Sequence, residues 1–393
     1  MSIKKGYKAI LMFGVVSLFG DIIYEGARSL TPSYLQFLGA DIVIVGFAFG
    51  LSEFLGYALR LVSGILTDVT RAYWIFYITG YVLIAAIPII GFTNSWIIIV
   101  ILIIIERIAK AFRSPARDTL ISVASKSIGA GKAFGLHELL DQVGAIVGPA
   151  LVVSILYFTF NNYSLAYIAL IIPYLALISI VLTTYLKLRD IVIMPSKEKK
   201  GISLNLPSSF WAYIASVGLN TMGLIHISLI LYVATKVYAA YLVAMLYLLV
   251  QAVDAVSAPL SGYLYDKYGR IILIIPFIMS ILPSILTAIG SKILLITSAI
   301  LFGVIYGMQE SIYRAAVSDF IPSYVRGTAY GVFNSVYGLG FLISGVIYGF
   351  LIKLAEVYVV AIYAVCIQII ALTILVYSTK LGIKDLSGKR NII

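Results

Sequence analysis

Charge is scarce in this sequence: Asp, Glu, Lys and Arg make up 11% of 393 residues, where a soluble domain carries about a quarter. So few charges do not cover the surface of a water-soluble body of this length, and much of the apolar 62% must face lipid. Acid is scarcer still, with 17 Asp and Glu against 28 Lys and Arg. The resulting net charge of +11 raises the question of nucleic acid. A nucleic-acid binder, however, clusters its basic residues on one face of a folded domain. Here they sit in short connectors between apolar runs, the pattern that orients membrane proteins. Cysteine is reduced to Cys366, inside an apolar run, which excludes an intramolecular disulfide. No His/Cys cluster has metal-ligand spacing, so neither a metal nor another cofactor is expected. No soluble lobe is present for an ATP-driven pump. Gly131-Lys132 lacks the earlier glycine of a phosphate loop and is followed by Ala133. The chain is not expected to be an enzyme.

What is present is a series of long apolar runs, with a mean hydropathy of +1.06. A helix needs about 20 apolar residues to cross the hydrocarbon core. The runs predict helices 1 to 12 at 8–37, 42–66, 72–91, 95–113, 132–157, 164–186, 208–234, 239–265, 271–290, 293–317, 327–351 and 356–378. The first begins after Lys4 and Lys5, runs past signal-peptide length and shows no small-residue cleavage site, so it is expected to be retained. The predicted fold class is an all-α membrane protein of twelve transmembrane helices in two pseudo-symmetric six-helix bundles. The bundles are 1–186 and 208–393, joined by a polar linker at 187–207. Lys and Arg concentrate in the termini and every second loop. Only Lys236, Lys292 and Lys353 fall in the opposite set, and Arg28, Arg60 and Arg107 within spans. Positive charge stays inside, so both termini are expected in the cytoplasm and the chain in the cytoplasmic (plasma) membrane.

Two segments recur at an offset of just under 200 residues. Gly64-Ile-Leu-Thr-Asp68 closes helix 2, and Gly262-Tyr-Leu-Tyr-Asp266-Lys267-Tyr-Gly269-Arg270 closes helix 8. Gly131-Lys-Ala-Phe-Gly135 opens helix 5, and Gly327-Thr-Ala-Tyr-Gly331 opens helix 11. Both pairs fall at the same place in a six-helix unit. A duplicated bundle is expected to bind its solute near the membrane midplane, between the repeats.

On these residues the chain resembles the major facilitator superfamily. The family's loop signature after helices 2 and 8, G-x-x-x-D-[RK]-x-G-[RK], is met throughout by Gly262 to Arg270. The first copy keeps Gly64 and Asp68 and diverges at Val69-Thr70-Arg71. The helix-4 arginine pattern looks like Arg107-Ile-Ala-Lys110-Ala111, with Lys in the usual Gln place. The helix-5 pattern of drug:proton antiporters resembles Gly135, Gly144, Gly148 and Pro149, with Val152-Val153 in place of its closing glycine pair. The resemblance implies the major facilitator fold, a cleft lined by helices 1, 4, 7 and 10, function as a monomer, and a branch that exchanges drugs for protons.

Charged side chains inside a membrane cost several kcal/mol unless paired or hydrated, so they are the first functional candidates. Helix 1 carries Asp21, Glu25 and Arg28 on one face. Helix 2 carries Glu53 and Arg60, helix 4 Glu106, Arg107, Lys110 and Arg113, and helix 5 His137, Glu138 and Asp141. Asp21 lies about 13 residues into its helix, roughly 20 Å deep, in a middle layer with Glu53, Glu106 and Arg107. Lys110 and Arg113 are expected to snorkel to the cytoplasmic interface. An acid among Asp21, Glu25, Glu53 and Asp141 is expected to carry a proton, with Arg107 moving nearer or farther. Arg28, Arg60, Glu106 and Glu138 complete the network. The alternative is a static set of ion pairs that specifies packing.

The second half offers His226, Asp254, Glu310 and Arg314 as cavity candidates. His226 reads equally as proton carrier or packing residue, and Glu310–Arg314 as a structural i,i+4 pair. Asp68 and Asp266, each near a helix N-terminus of the other half, are expected to clamp a cytoplasmic gate with Gly64, Gly262 and Arg270. Gly46/Gly50, Gly144/Gly148 and Gly303/Gly307 are spaced for close helix contact, and Pro149 for a bend. The expected function is secondary active transport of a small solute, foremost proton-coupled efflux of amphiphilic compounds. Symport or uniport of a metabolite comes second, and a non-transporting sensor or lipid scramblase third. Partners are the lipid bilayer, a small-molecule substrate and protons, with no nucleic acid.

Overall fold

The structure, a computed structural model, describes residues 3–125, 128–190, 206–321 and 326–390. Most of the linker predicted at 187–207 lies outside the described residues. In lipid every backbone N–H and C=O must be satisfied within the protein, which selects helices when no barrel can close. Among the described residues every regular element is helical. In chain order these are α1 (Ile3–Phe37), α2 (Ile42–Thr70), α3 (Tyr73–Phe92), α4 (Trp96–Ser125), α5 (Ala130–Phe158) and α6 (Tyr163–Leu188). Then follow α7 (Ser208–Ala234), α8 (Ala240–Tyr268), α9 (269–289), α10 (Lys292–Phe320), α11 (Arg326–Leu354) and α12 (Val357–Arg390).

Ten described stretches are long and apolar enough to cross a membrane, and one of them, Ala240–Ile289, has 50 residues and holds both α8 and α9. α4 is not among the ten, because Glu106, Arg107, Lys110 and Arg113 interrupt its apolar run. It also runs through Pro115 to Ser125, well past the predicted end at 113. Pro115 removes one helical hydrogen bond and the helix continues.

Two compact units form. The first takes the described residues of Met1–Gly39, Leu59–Lys200 and Ala239–Leu248, the second those of Ala40–Ala58, Gly201–Tyr238 and Leu249–Ile393. The N-terminal parts of α2 (42–58) and α8 (240–248) are thus grouped with the opposite sequence half. Inside the first unit α1 packs along α5 and α6, and α3 along α4. Inside the second, α7 packs along α11 and α12 in the same order, as a duplicated unit should. The second unit has an aromatic core of Phe210, Tyr213, Phe277, Tyr313, Phe333, Tyr337 and Phe341. Ile75, Ile172, Ile293 and Tyr377 stand exposed, as side chains in contact with lipid would.

α7 is broken where α1 is continuous. Leu224 and His226 adopt extended backbone, and His226 begins the second segment. The carbonyls released by the break are met by hydroxyls. Tyr348 donates to Gly223 O at 2.6 Å, Tyr363 to Met222 O at 3.2 Å, and Ser344 to Leu224 O. Such repair by neighbouring helices is what makes a break tolerable inside a membrane.

Candidate functional site

The first unit holds a charged interior. Small residues on α5 let α1 approach until the backbones touch. A Cβ added to Gly144 would lie 2.8 Å from Asp21 Cβ, and one on Gly148 2.9 Å from Gly26 N. This contact brings the acids of α1 beside α5. Asp21, Glu25, Glu106 and Arg107 are all buried, so they face protein and not lipid. Glu25 is held by Arg28 at 3.4 Å and accepts a hydrogen bond from Tyr247 at the start of α8. Asp21 forms no hydrogen bond or ion pair among the described residues, although it lies in the field of Asp141, Lys110, Glu25 and Arg117.

On α4, Glu106 bridges two guanidinium groups, Arg113 at 3.2 Å and Arg107 at 3.6 Å. The expectation that Lys110 and Arg113 snorkel to the interface is overturned. Arg113 is buried, and Lys110 turns to α1, where Nζ donates to Tyr24 OH at 2.7 Å. A carboxylate and an aromatic ring within reach compete successfully with the interface. Arg107, Lys110 and Arg113 gather over the Tyr24 ring at 5.6, 4.1 and 5.7 Å.

A second cluster joins α1, α3, α4 and α5. Ser17 Oγ lies 2.9 Å from His137 Nε2 and 3.1 Å from Tyr81 OH, and accepts from Arg117 at 3.3 Å. Asp141 Oδ2 lies 3.6 Å from Arg117 Nη1 and 3.5 Å from His137 Nδ1. Ser17, Tyr81 and Arg117 are absent from the sequence-based set. Arg117 escaped because helix 4 was ended too early; Ser17 and Tyr81 carry no charge to mark them. Glu138 is exposed and stands apart from this buried set. Glu53 is buried but belongs to the second unit, where its backbone lies against Gly338 of α11. Arg60 is part-buried in the first unit, and its charge reaches Lys110.

The second unit is polar without being charged at its centre. Asn220 of α7 donates to Gln368 of α12 at 2.8 Å and to Ser280 of α9 at 3.2 Å. It accepts from Gln309 at 3.0 Å and from Tyr313 at 2.7 Å, both on α10. Tyr337 of α11 donates to Gln309 at 2.9 Å. Asn220 and Gln368 were also missed; an isolated amide inside an apolar run was the available signal. Gln309–Tyr313 winds as a π-helix, and the Glu310 charge still acts on Arg314 across it. Such turns are frequent at functional sites. His226 Nδ1 accepts from Ser228 N at 3.2 Å and caps the second segment of α7, with the Phe49 and Phe341 rings beside it. Asp254 is buried on α8, facing Gly307 of α10.

Of the gate candidates, Asp68 accepts from Tyr73 OH at 3.0 Å, Gly64 contacts Pro115 and Gly262 contacts Ser311. Asp266 is exposed. Arg270 pairs with Asp319 at 3.6 Å and lies 4.1 Å over the Phe320 ring, while Tyr265 donates to the same Asp319 at 2.7 Å. Asp319, at the end of α10, was not among the predicted gate residues. Gly135 has open space around it, and Pro149 lies inside α5.

With this geometry established, known proteins fall in place beside it. The family described as the Major Facilitator Superfamily matches residues 11–345. An uncharacterised protein of Mycobacterium tuberculosis is 34% identical over 94% of this chain and 91% of its own length. An uncharacterised MFS-type transporter of Methanocaldococcus jannaschii is 28% identical over 88% and 89%. Among solved structures, a variant of the nucleoside transporter NupG superposes with a TM-score of 0.76 at 14% identity, over 94% and 99% of the two chains. A variant of the peptide transporter POT gives 0.73 at 13% identity, over 95% of each. At such identities what is shared is the fold.

Proposed function

This chain belongs to the Major Facilitator Superfamily, and from that premise we propose that it is a proton-coupled secondary transporter exporting a small amphiphilic solute by alternating access. A proton-coupled transporter needs a titratable group and a binding site, and the first unit supplies material for both. One observation carries the coupling: Asp21 is buried in a membrane-crossing helix without an ion pair among the described residues. Asp141, in the same field, shares Arg117 with its neighbours. An acid whose charge no adjacent cation fixes is able to gain and lose a proton as its surroundings change. Arg117 and Lys110 are the cations whose movement would tip that balance. Glu25, tied to Arg28 and Tyr247, and Glu53 in the second unit are the remaining candidates.

The reading includes a monomer in the cytoplasmic membrane with both termini inside, from the Lys and Arg distribution. The aromatic rings of Tyr24, Tyr81 and Tyr247, buried beside this charged set, would suit an apolar body on the solute. The hydrogen-bonding centre at Asn220 supports a second reading, symport or uniport of a polar metabolite.

Proteoliposomes under an imposed pH gradient test this. Asp21→Asn, Glu25→Gln, Glu53→Gln and Asp141→Asn are compared with wild type for gradient-driven flux and for solute exchange without a gradient. The expected outcome is that Asp21→Asn loses about tenfold or more of the driven flux while exchange persists. Undiminished coupling in all four variants would end the proposal. Solute moving in the same direction as protons would establish the symport reading instead.

A further inference from the structure

Among the first-unit cations, Lys110 and Arg113 each keep donor capacity that no acid among the described residues takes up. Glu106 uses both oxygens, one for Arg113 at 3.2 Å and one for Arg107 at 3.6 Å. Glu25 holds Arg28, and Arg117 is met by Asp118 at 3.0 Å and Asp141 at 3.6 Å. Lys110 forms no ion pair among the described residues; its hydrogen bond goes to the neutral hydroxyl of Tyr24. Asp21 and Glu25 act on it through their field without contact. Arg113 is buried to 3% exposure, and its Nη1 has no hydrogen-bond partner. A buried guanidinium N–H without an acceptor is costly and rare.

The two donors are placed to act together. Lys110 and Arg113 are three residues apart on α4, hence on one face, and both lie over the Tyr24 ring, at 4.1 and 5.7 Å. Lys110 keeps part of its surface accessible. An ammonium and a guanidinium edge on one aromatic floor match an anion with two or three oxygens, which accepts charge-assisted hydrogen bonds from both. Arg113 also lies 5.4 Å over the Tyr81 ring, so the floor continues as an apolar surface.

We propose that Lys110 and Arg113, seated on Tyr24, form a subsite for the anionic head of the transported solute, a carboxylate, sulfonate or phosphate ester. This rests on the transporter reading and adds the sign of the solute's charge. An anionic lipid headgroup offers the same chemistry, and the experiment separates the two sources.

The test uses the full chain in phosphatidylcholine liposomes with three matched probes: naphthalene-2-carboxylate, naphthalene-2-methanol and (naphthylmethyl)trimethylammonium. Equilibrium binding is measured for wild type, Lys110→Gln, Arg113→Gln and Arg113→Lys, each first checked for a single peak in size-exclusion chromatography. Wild type is expected to bind the carboxylate about tenfold more tightly than either other probe. Lys110→Gln is expected to abolish most of that preference and Arg113→Lys to keep part of it. Should Arg113→Gln fail to fold, Lys110→Gln, which removes one hydrogen bond, still decides. An absent preference in wild type, or one unchanged in Lys110→Gln, overturns the subsite. Full displacement of the carboxylate by added phosphatidylglycerol also overturns it, in favour of a lipid site. A pH gradient that drives only the ammonium probe, through Asp21, sinks the subsite while the transporter reading stands. The transporter reading falls separately, when no gradient moves any solute.

Discussion

Glu106 carries more of the site than its place in the sequence announces. It bridges Arg107 and Arg113, and both guanidinium groups are buried with it. Removing one partner of a buried ion pair leaves an uncompensated charge, which costs about 3–5 kcal/mol. Glu106→Gln is therefore expected to lower the thermal unfolding midpoint in detergent far more than Glu138→Gln, whose side chain is exposed. Equal midpoints for the two variants would refute this account. At this scale the sequence marked which residues were charged, because a charge inside an apolar run is conspicuous. It did not mark which way Lys110 points, since that depends on Tyr24 of α1 being within 2.7 Å. Nor did it mark Asn220, whose four side-chain partners come from α9, α10 and α12.

Between elements, spacing in the sequence translated into contact where the residues were small. Gly46 and Gly50 of α2 lie against Gly345 and Leu342 of α11, and Gly303 and Gly307 of α10 against α8. The α2–α11 seam is closed at its end by Asp41, which pairs with Lys353 at 2.9 Å and accepts from Val43 N at 2.9 Å. The Lys353 ammonium and then the Val43 amide hold the Asp41 carboxyl below its ordinary range. The folded value thus lies below the unfolded one, near 3.9. The pair's contribution is present above that pH and is lost as pH falls through the folded value. Both side chains are a third to a half exposed, at 36% and 47%, so the contribution is at most about 1 kcal/mol. Asp41→Asn is expected to cost this small amount at pH 7 and nothing at pH 2, read as the difference in unfolding midpoint from wild type. A cost that grows on acidification would contradict the pairing.

For the whole molecule the strongest expectation concerns sidedness. Lys236, Lys292 and Lys353 are expected to make up the sparse outer set of basic residues. In a chain with Cys366 replaced by Ser, Lys236→Cys and Lys353→Cys are expected to react with an impermeant maleimide on intact cells. Lys267→Cys, in the exposed end of α8, is expected to react only after permeabilisation. The opposite labelling pattern would invert the topology. The crossings were legible because lipid punishes polar backbone and charge so heavily that the spans other than α4 are written as long apolar runs. The ends were less legible: α4 runs to Ser125 and α12 to Arg390, since a helix leaving the membrane keeps its hydrogen bonds after its hydropathy changes.

By itself the sequence determined the membrane, the helices, their number and the duplication. Each of these is a local property, written in the composition of a segment or in its spacing from a copy. Only the tertiary structure decided that Lys110 faces Tyr24, that Arg117 joins Asp141 and His137, and that His226 caps a broken α7. It alone grouped the N-terminal parts of α2 and α8 with the opposite sequence half. A side chain's partner in a membrane protein is set by which helix lies within a few ångströms of it, and that neighbour is far away in the chain.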